Sequence, residues 1–378
     1  MKKNFFMLAA TAALFAACAE TELVNEVNVE SNSQAIGFET FAQKATRAEN
    51  SGEEYVANDL SNHHTAFNVW ASKELAGTPS YVEVYNSGTV THNGTVWTAN
   101  PLKYWDKAAL NYYFYAAAPT GIVWSYEQTD TDDGSTGYFK LDDHTLYGTN
   151  ANNLATGKET TLHRSWKGKE DKDLLIAAEC VVPHNFYYNV TAEAVNLDFI
   201  HILSRLNIAV KTTENNVKVN KLDVVGLNNV GGFDENKVNG TNLINGTTGR
   251  WTVKGDKKYT LVAQLGGAEL ALVKDASAIY THEYLVIPQK QKNSEATVNS
   301  GVAPTNDAYI YIEYTVGGEL YKTHFGLAQV FGVAKNGELA FNEGWQNTLT
   351  ITISPDAIEF TGDVAAWDEY LNEPEVID

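Results

Sequence analysis

Hydrophobic and polar residues alternate along most of this chain with a period of two, in short runs rich in Val, Ile, Tyr, Thr and Phe. Clusters of Gly, Asn and Asp bound the runs, a pattern that predicts many short strands in a sandwich or barrel. The runs at 112–116, 217–225, 259–264, 284–287 and 348–353 read as strands. Ala308 to Val316, then Gly317-Gly318, then Glu319 to Leu327 reads as a hairpin, since two glycines permit the positive φ angles of a primed turn. An early run, Ala35 to Phe41, puts Ile36, Phe38 and Thr40 on one face, with Phe41 near its end. Sustained helical periodicity is nearly absent: Leu154, Leu162 and Leu174 sit in polar surroundings that offer no continuous apolar helix face. One stretch changes phase. Val195, Leu197 and Phe199 occupy odd positions, after which Ile202, Leu206, Ile208 and Val210 occupy even ones. A shift of one residue turns a strand over, so a bulge or break is expected between Ile200 and Leu203, at a corner between two domains with their boundary near Ala192.

The first residues read as an address. Lys2 and Lys3 precede a short apolar stretch from Phe5 to Phe15, too short to span a bilayer. Leu14-Phe15-Ala16-Ala17-Cys18 resembles the bacterial lipobox, with Phe15 a departure from the preferred residue. Residues 1–17 are thus expected to be a lipoprotein signal peptide, and Cys18 the lipidated mature N-terminus. Ala19 to Ser33 is acidic and rich in Asn and Ser, as a tether would be.

Composition narrows the function classes. The formal net charge is −20, and the few Lys and Arg are scattered apart from a knot between Arg164 and Lys172 that reads as a solvated loop. Nucleic-acid binding needs a basic footprint and is excluded as an expectation. Cys18 and Cys180 are the only cysteines, so lipidation of the first leaves no disulfide, and the fold must rest on buried apolar surface.

Candidate chemistry is sparse. His63-His64 lies near Glu53, Glu54 and Asp59, but a solvated linker is the simpler reading than a metal site. His201 and Ser204 lack a Gly-x-Ser-x-Gly elbow, and Cys180 with His184 lacks an orienting carboxylate. Asp130-Thr-Asp-Asp-Gly134 lacks the remaining ligands of a calcium loop and reads as a hairpin tip. No catalytic residue, metal ligand or cofactor is nominated, and the chain is expected not to be an enzyme. An alternative stays open, a monomeric surface lipoprotein that captures glycans for an outer-membrane uptake system; Trp124, Tyr126, Trp166, Tyr187 and Tyr188 are its candidate loop aromatics, although most Trp occur within apolar runs, which favours core.

A set of ordered motifs then points to a family. After the lipobox come Ile36-Gly37-Phe38, Thr46-Arg47-Ala48, Tyr104-Trp105, Leu110 to Pro119 and Asp173 to Ala177. Val195 to Leu206, Tyr284 to Gln289 and Gly344-Trp345 through Trp367 follow. In order and spacing the chain resembles the Bacteroidales fimbrillins, the type V pilins. The resemblance implies an all-β protein of two tandem transthyretin-like β-sandwich domains, with residues 18–47 as tether and removable strand, 48–191 as the first domain and 192–378 as the second. It implies an outer-membrane lipoprotein precursor that reaches the cell surface and assembles by strand exchange into fimbriae with other subunits. A receptor on a host or bacterial surface would be a further partner. Cleavage between Arg47 and Ala48 would remove the strand carrying Ile36, Phe38 and Phe41. The candidate donor is the C-terminal stretch with Ile358, Phe360, Val364, Trp367, Tyr370 and Leu371, although its acidic end (Asp368, Glu369, Glu373, Glu375, Asp378) departs from a strong apolar donor.

Overall fold

The computed structural model describes residues 34–42, 64–76, 81–131, 134–145, 149–150, 173–188, 194–237, 248–253, 258–263, 265, 268–294, 307–354 and 358–366. Most of the described residues lie in strands, as the period-two pattern predicts. In the first half these are β1 (Phe38–Ala42), β2 (Ala66–Leu75), β3 (Tyr81–His92), β4 (Trp97–Asn100), β5 (Ala109–Ala118), β6 (Ser125–Thr131), β7 (Gly134–Thr145), β8 (Thr149–Asn150) and β9 (Leu175–Pro183). A single-turn helix α1 (His184–Tyr188) and β10 (Val195–His201) follow. The second half holds β11 (Ser204–Thr212), β12 (Val217–Asn228), β13 (Val230–Asp234), β14 (Trp251–Val253), β15 (Lys258–Val262), β16 (Leu270–Leu272), β17 (Ile279–Val286) and β18 (Gln289–Lys292). It continues through β19 (Tyr309–Val316), β20 (Glu319–Gly326), α2 (Leu327–Val330), β21 (Glu338–Phe341), β22 (Trp345–Ile353) and β23 (Ile358–Ala366).

The strands β1-β10-β9-β5-β2-β3-β4 close on themselves. Their inward residues, among them Phe67, Phe114, Leu197 and Phe199, make one core. In the second half, β17-β11-β22-β23 faces β20-β19-β12-β15 across another core built on Ile208, Leu222, Ile310 and Ile351; β16 also pairs with β12, and β8 from the first half adds to the end of the latter sheet beside β15. The expected hairpin is present: Val316 pairs with Glu319, and Gly317 and Gly318 have φ of 60° and 97°.

The phase shift has its expected cause. β10 buries Val195, Leu197 and Phe199, and β11 buries Leu206, Ile208 and Val210, with the chain breaking at Ile202-Leu203 between them. Pairing changes at that point. β10 joins β1 and β9, whereas β11 joins β17 and β22.

A third core joins the halves. β5 is buried on both faces: Tyr112, Phe114 and Ala116 enter the closed sheet, while Tyr113, Tyr115 and Ala117 face outward under other residues. That is why its sequence is a continuous apolar run rather than an alternation. The cover is the sheet β14-β13-β7-β6, in which Phe233 of β13 lies opposite Leu141 of β7. Trp124, Phe139, Phe233 and Trp251 fill the layer with Ile202 and Leu203, and the Trp251 Nε1–H donates to the Ile202 carbonyl at 2.7 Å. Strands of both halves therefore share one sheet.

Candidate functional site

The segment carrying Ile36 and Phe38 closes the first core. Before β1 it runs beside the Lys103–Trp105 stretch: the Ile36 N–H donates to the Lys103 carbonyl at 2.9 Å, and the Trp105 N–H to the Gln34 carbonyl at 3.0 Å. It then turns alongside β10, in parallel, with Phe38 opposite Val195 and Ala42 opposite Phe199. On its other flank β1 meets β4 only at Phe38 and Trp97. Alternation decides what enters the core. Ile36, Phe38 and Thr40 are buried, and Glu39 is exposed. The Phe38 ring packs edge-on against Phe67, Tyr85 and Phe114 at centroid distances of 6.1, 6.1 and 5.9 Å. Burying Ile36 and Phe38 stabilises this arrangement by roughly 3–6 kcal/mol. The ladder contributes less per residue than an antiparallel one would, because parallel bonds are slanted. β1 is thus held by apolar anchors and by a full ladder on one flank only. The Phe41 side chain, Cys18, Arg47 and Ala48 lie outside the described residues.

The C-terminal candidate divides. β23 pairs with β22 along its whole length, from Ile353 opposite Ile358 to Trp345 opposite Ala366, and it ends its sheet. Ile358 and Phe360 pack against the second core, the Phe360 ring lying 4.7 Å from that of Phe325, and Val364 is half-buried. Residues 358–366 are thus a resident strand of the chain's own sheet. Trp367, Tyr370 and Leu371 lie outside the described residues.

The other candidates resolve mainly into structure. Trp124 and Tyr187 are buried, not presented to a ligand; Tyr187 stacks on Trp105 at 4.8 Å and donates its hydroxyl to the Ala109 carbonyl at 2.8 Å. Tyr126 stacks on Trp70 at 5.8 Å. Trp166 and the Tyr188 side chain lie outside the described residues, as does His63. His64 is buried, and among the described residues no group of three or more His, Cys, Asp or Glu is arranged to hold a metal ion. His201 pairs through Nδ1 with the Asp173 carboxylate, while the Ser204 hydroxyl donates to the Trp345 carbonyl at 3.0 Å, so the two do not form a nucleophile and base. Thr131 and Gly134 pair across the β6–β7 tip, which gives Asp130–Gly134 the hairpin role expected of it.

Cys180 sits half-buried on β9, and His184 directs Nε2 to the Lys107 carbonyl at 3.0 Å. Burial, reinforced by the negative charges of Asp198 and Glu179, pushes the thiol up to about 11. The thiolate is the reactive form, so the folded chain should alkylate slowly with iodoacetamide at pH 8. Adding urea should speed the reaction by about tenfold or more as the thiol returns toward the ordinary value near ~8.5. Equal rates in the two conditions would show that Cys180 is not buried as described.

Sequence reasoning missed a buried ion pair. Arg250 donates through Nε to Glu343 Oε2 at 2.8 Å and also through Nη2, and its guanidinium lies 5.0 Å from the centre of the Phe233 ring. Burial pushes the Glu343 carboxyl up, against the opposing pull of Arg250, and does the same to nearby Glu235, which accepts a hydrogen bond from the Phe139 N–H at 2.9 Å. These residues bind β7, β13 and the turn before β14 to the loop before β22. In sequence, Glu343 is one acid before Gly344-Trp345 and carries no signal of burial.

Among curated proteins none matches the chain. Solved structures similar to it include a fimbrial protein from Bacteroides vulgatus, 16% identical, with 89% of this chain and 100% of that one covered and a TM-score of 0.47. A fimbrial assembly protein from Parabacteroides distasonis is 12% identical, with 89% and 99% covered and a TM-score of 0.34. The sequence model of the fimbrillin-like family matches residues 46–367, most of the chain, and the protein therefore belongs to that family.

Proposed function

We propose that this chain is a structural and adhesive subunit of cell-surface fimbriae, exported as a lipoprotein through Cys18 and matured by cleavage between Arg47 and Ala48. Cleavage there removes β1, and with it Ile36 and Phe38. The reading rests chiefly on one observation: β1 closes the first sheet with buried apolar side chains but holds a full ladder on one flank only. Its loss would leave an open β10 edge and an empty apolar cleft, a state that invites another chain. A strand from a second subunit would refill both by β-augmentation. We assign the donor to the C-terminal stretch, with Trp367, Tyr370 and Leu371 as apolar anchors beyond β23, and the domains to the two halves that the third core joins.

The test is Arg47→Ala in the native host. The expected result is a surface precursor that begins at Cys18 and yields no detergent-resistant ladder, where the unaltered chain yields ladders beginning at Ala48. Normal ladders from the Arg47→Ala chain, with residues 18–47 retained, would overturn the reading.

A further inference from the structure

The outer face of the sheet formed by β12, β19 and β20 carries an arrangement that neither core packing nor strand exchange uses. On β19, Ile310 and Ile312 enter the second core, so the alternating Tyr309, Tyr311 and Glu313 face the other way. The register sets their neighbours across the sheet. Val225, Tyr309 and Gly326 form one rung; Asp223, Tyr311 and His324 form the next; Lys221, Glu313 and Lys322 form the third. The His324 ring is 5.4 Å from that of Tyr309 and 4.7 Å from that of Tyr311. The three rings make a continuous half-exposed platform.

Charged groups border the platform in balance. Lys221 Nζ lies 3.3 Å from Asp223 Oδ2 and 5.4 Å from the centre of the Tyr311 ring. Lys322 Nζ is 3.2 Å from Glu313, which also accepts a hydrogen bond from the Tyr311 hydroxyl. One carboxylate is incompletely served. Asp223 is only 2% exposed, and its Oδ1 has no hydrogen-bond partner, nor does Nδ1 of His324 on the same rung. Burial pushes the Asp223 carboxyl up despite Lys221. A buried acceptor without a donor is costly, and such a group calls for a ligand or a structural reason. Its other oxygen is held by Lys221, whose side chain is 40% exposed.

The chemistry that fits is a hydroxyl donor for Asp223 carried on a flat body whose C–H groups can lie on aromatic rings. The charge balance selects further: two lysines and two carboxylates cancel, and an anionic ligand would meet Asp223 and Glu313 on a chain of net charge −20. We infer that this face is a binding site for a neutral saccharide, with Tyr309, Tyr311 and His324 as the stacking platform and Asp223 as the hydroxyl acceptor. This inference does not depend on strand exchange.

The experiment probes an array of neutral oligosaccharides and their sialylated counterparts with the purified full chain displayed on beads. The expected result is retention by at least one neutral oligosaccharide, with no preference for its sialylated form. Tyr311→Ala and His324→Ala should each weaken retention by about tenfold or more, the scale of a lost aromatic stacking contact on a polyvalent probe. Tyr321→Ala, which removes a ring stacked on Tyr314 at the core side, should leave retention unchanged. Near-UV circular dichroism identifies folded variants, and His324→Ala, on an edge strand, decides if Tyr311→Ala does not fold. Absence of binding to every neutral oligosaccharide, or binding unchanged in both variants, overturns the assignment.

Discussion

Phe38→Ala should destabilise the unprocessed chain by about 3–5 kcal/mol, the usual cost of deleting a buried aromatic ring and leaving a cavity. The same substitution should leave the processed subunit untouched, because the proposed cleavage discards residue 38. Phe38 is 4% exposed, and the rings of Phe67, Tyr85 and Phe114 around it belong to three different strands and so have little freedom to collapse inward. Urea unfolding of the precursor and of processed subunits, each with and without the substitution, reads both halves of this expectation. A precursor whose midpoint does not move would show that β1 contributes nothing to the closed sheet. A processed subunit that is also weakened would show that β1 stays with the chain.

The second large effect is expected at Glu343. Its removal leaves the Arg250 guanidinium, 4% exposed, with Glu235 alone nearby to oppose its charge, and breaking a buried pair in this way costs about 3–5 kcal/mol. Glu343→Ala should therefore lower the unfolding midpoint sharply. Replacing both partners together, Arg250→Met with Glu343→Leu, should recover most of the loss, since the desolvation cost of two charges disappears with their attraction. Equal stability of Glu343→Ala and the unaltered chain would mean that water reaches the pair.

Much of the fold was legible in local pattern. The alternation in Val195–Phe199 and its reversal at Ile202 located the break between β10 and β11, since one residue of slip inverts every side chain. Gly317-Gly318 located the β19–β20 turn, because few other residues accept positive φ in succession. Ile36 and Phe38 were legible as one buried face for the same reason. What escaped was long-range. Nothing near Leu141 indicates that its partner is Phe233, and the run through β5 looks alike whether one face or both are covered. Trp124 and Tyr187 illustrate the limit: apolar neighbours flank each in sequence, but the segments that bury it lie elsewhere along the chain. The tyrosine platform was hidden differently. Tyr309 and Tyr311 are ordinary strand residues until β12 and β20 bring Asp223 and His324 into the same rung.

The sheet that β6 and β7 share with β13 and β14 has a consequence for the order in which the molecule can be completed. A chain exported from its N-terminus delivers Phe139 and Leu141 well before Phe233 and Trp251 arrive to cover them. Pairings between residues so far apart close late, since a long loop must be drawn in first. The leading half must therefore wait, partly uncovered, until the trailing half has crossed. A subunit truncated before Trp251 would be left with exposed aromatic residues and an open edge, and would be removed or aggregate rather than reach the surface.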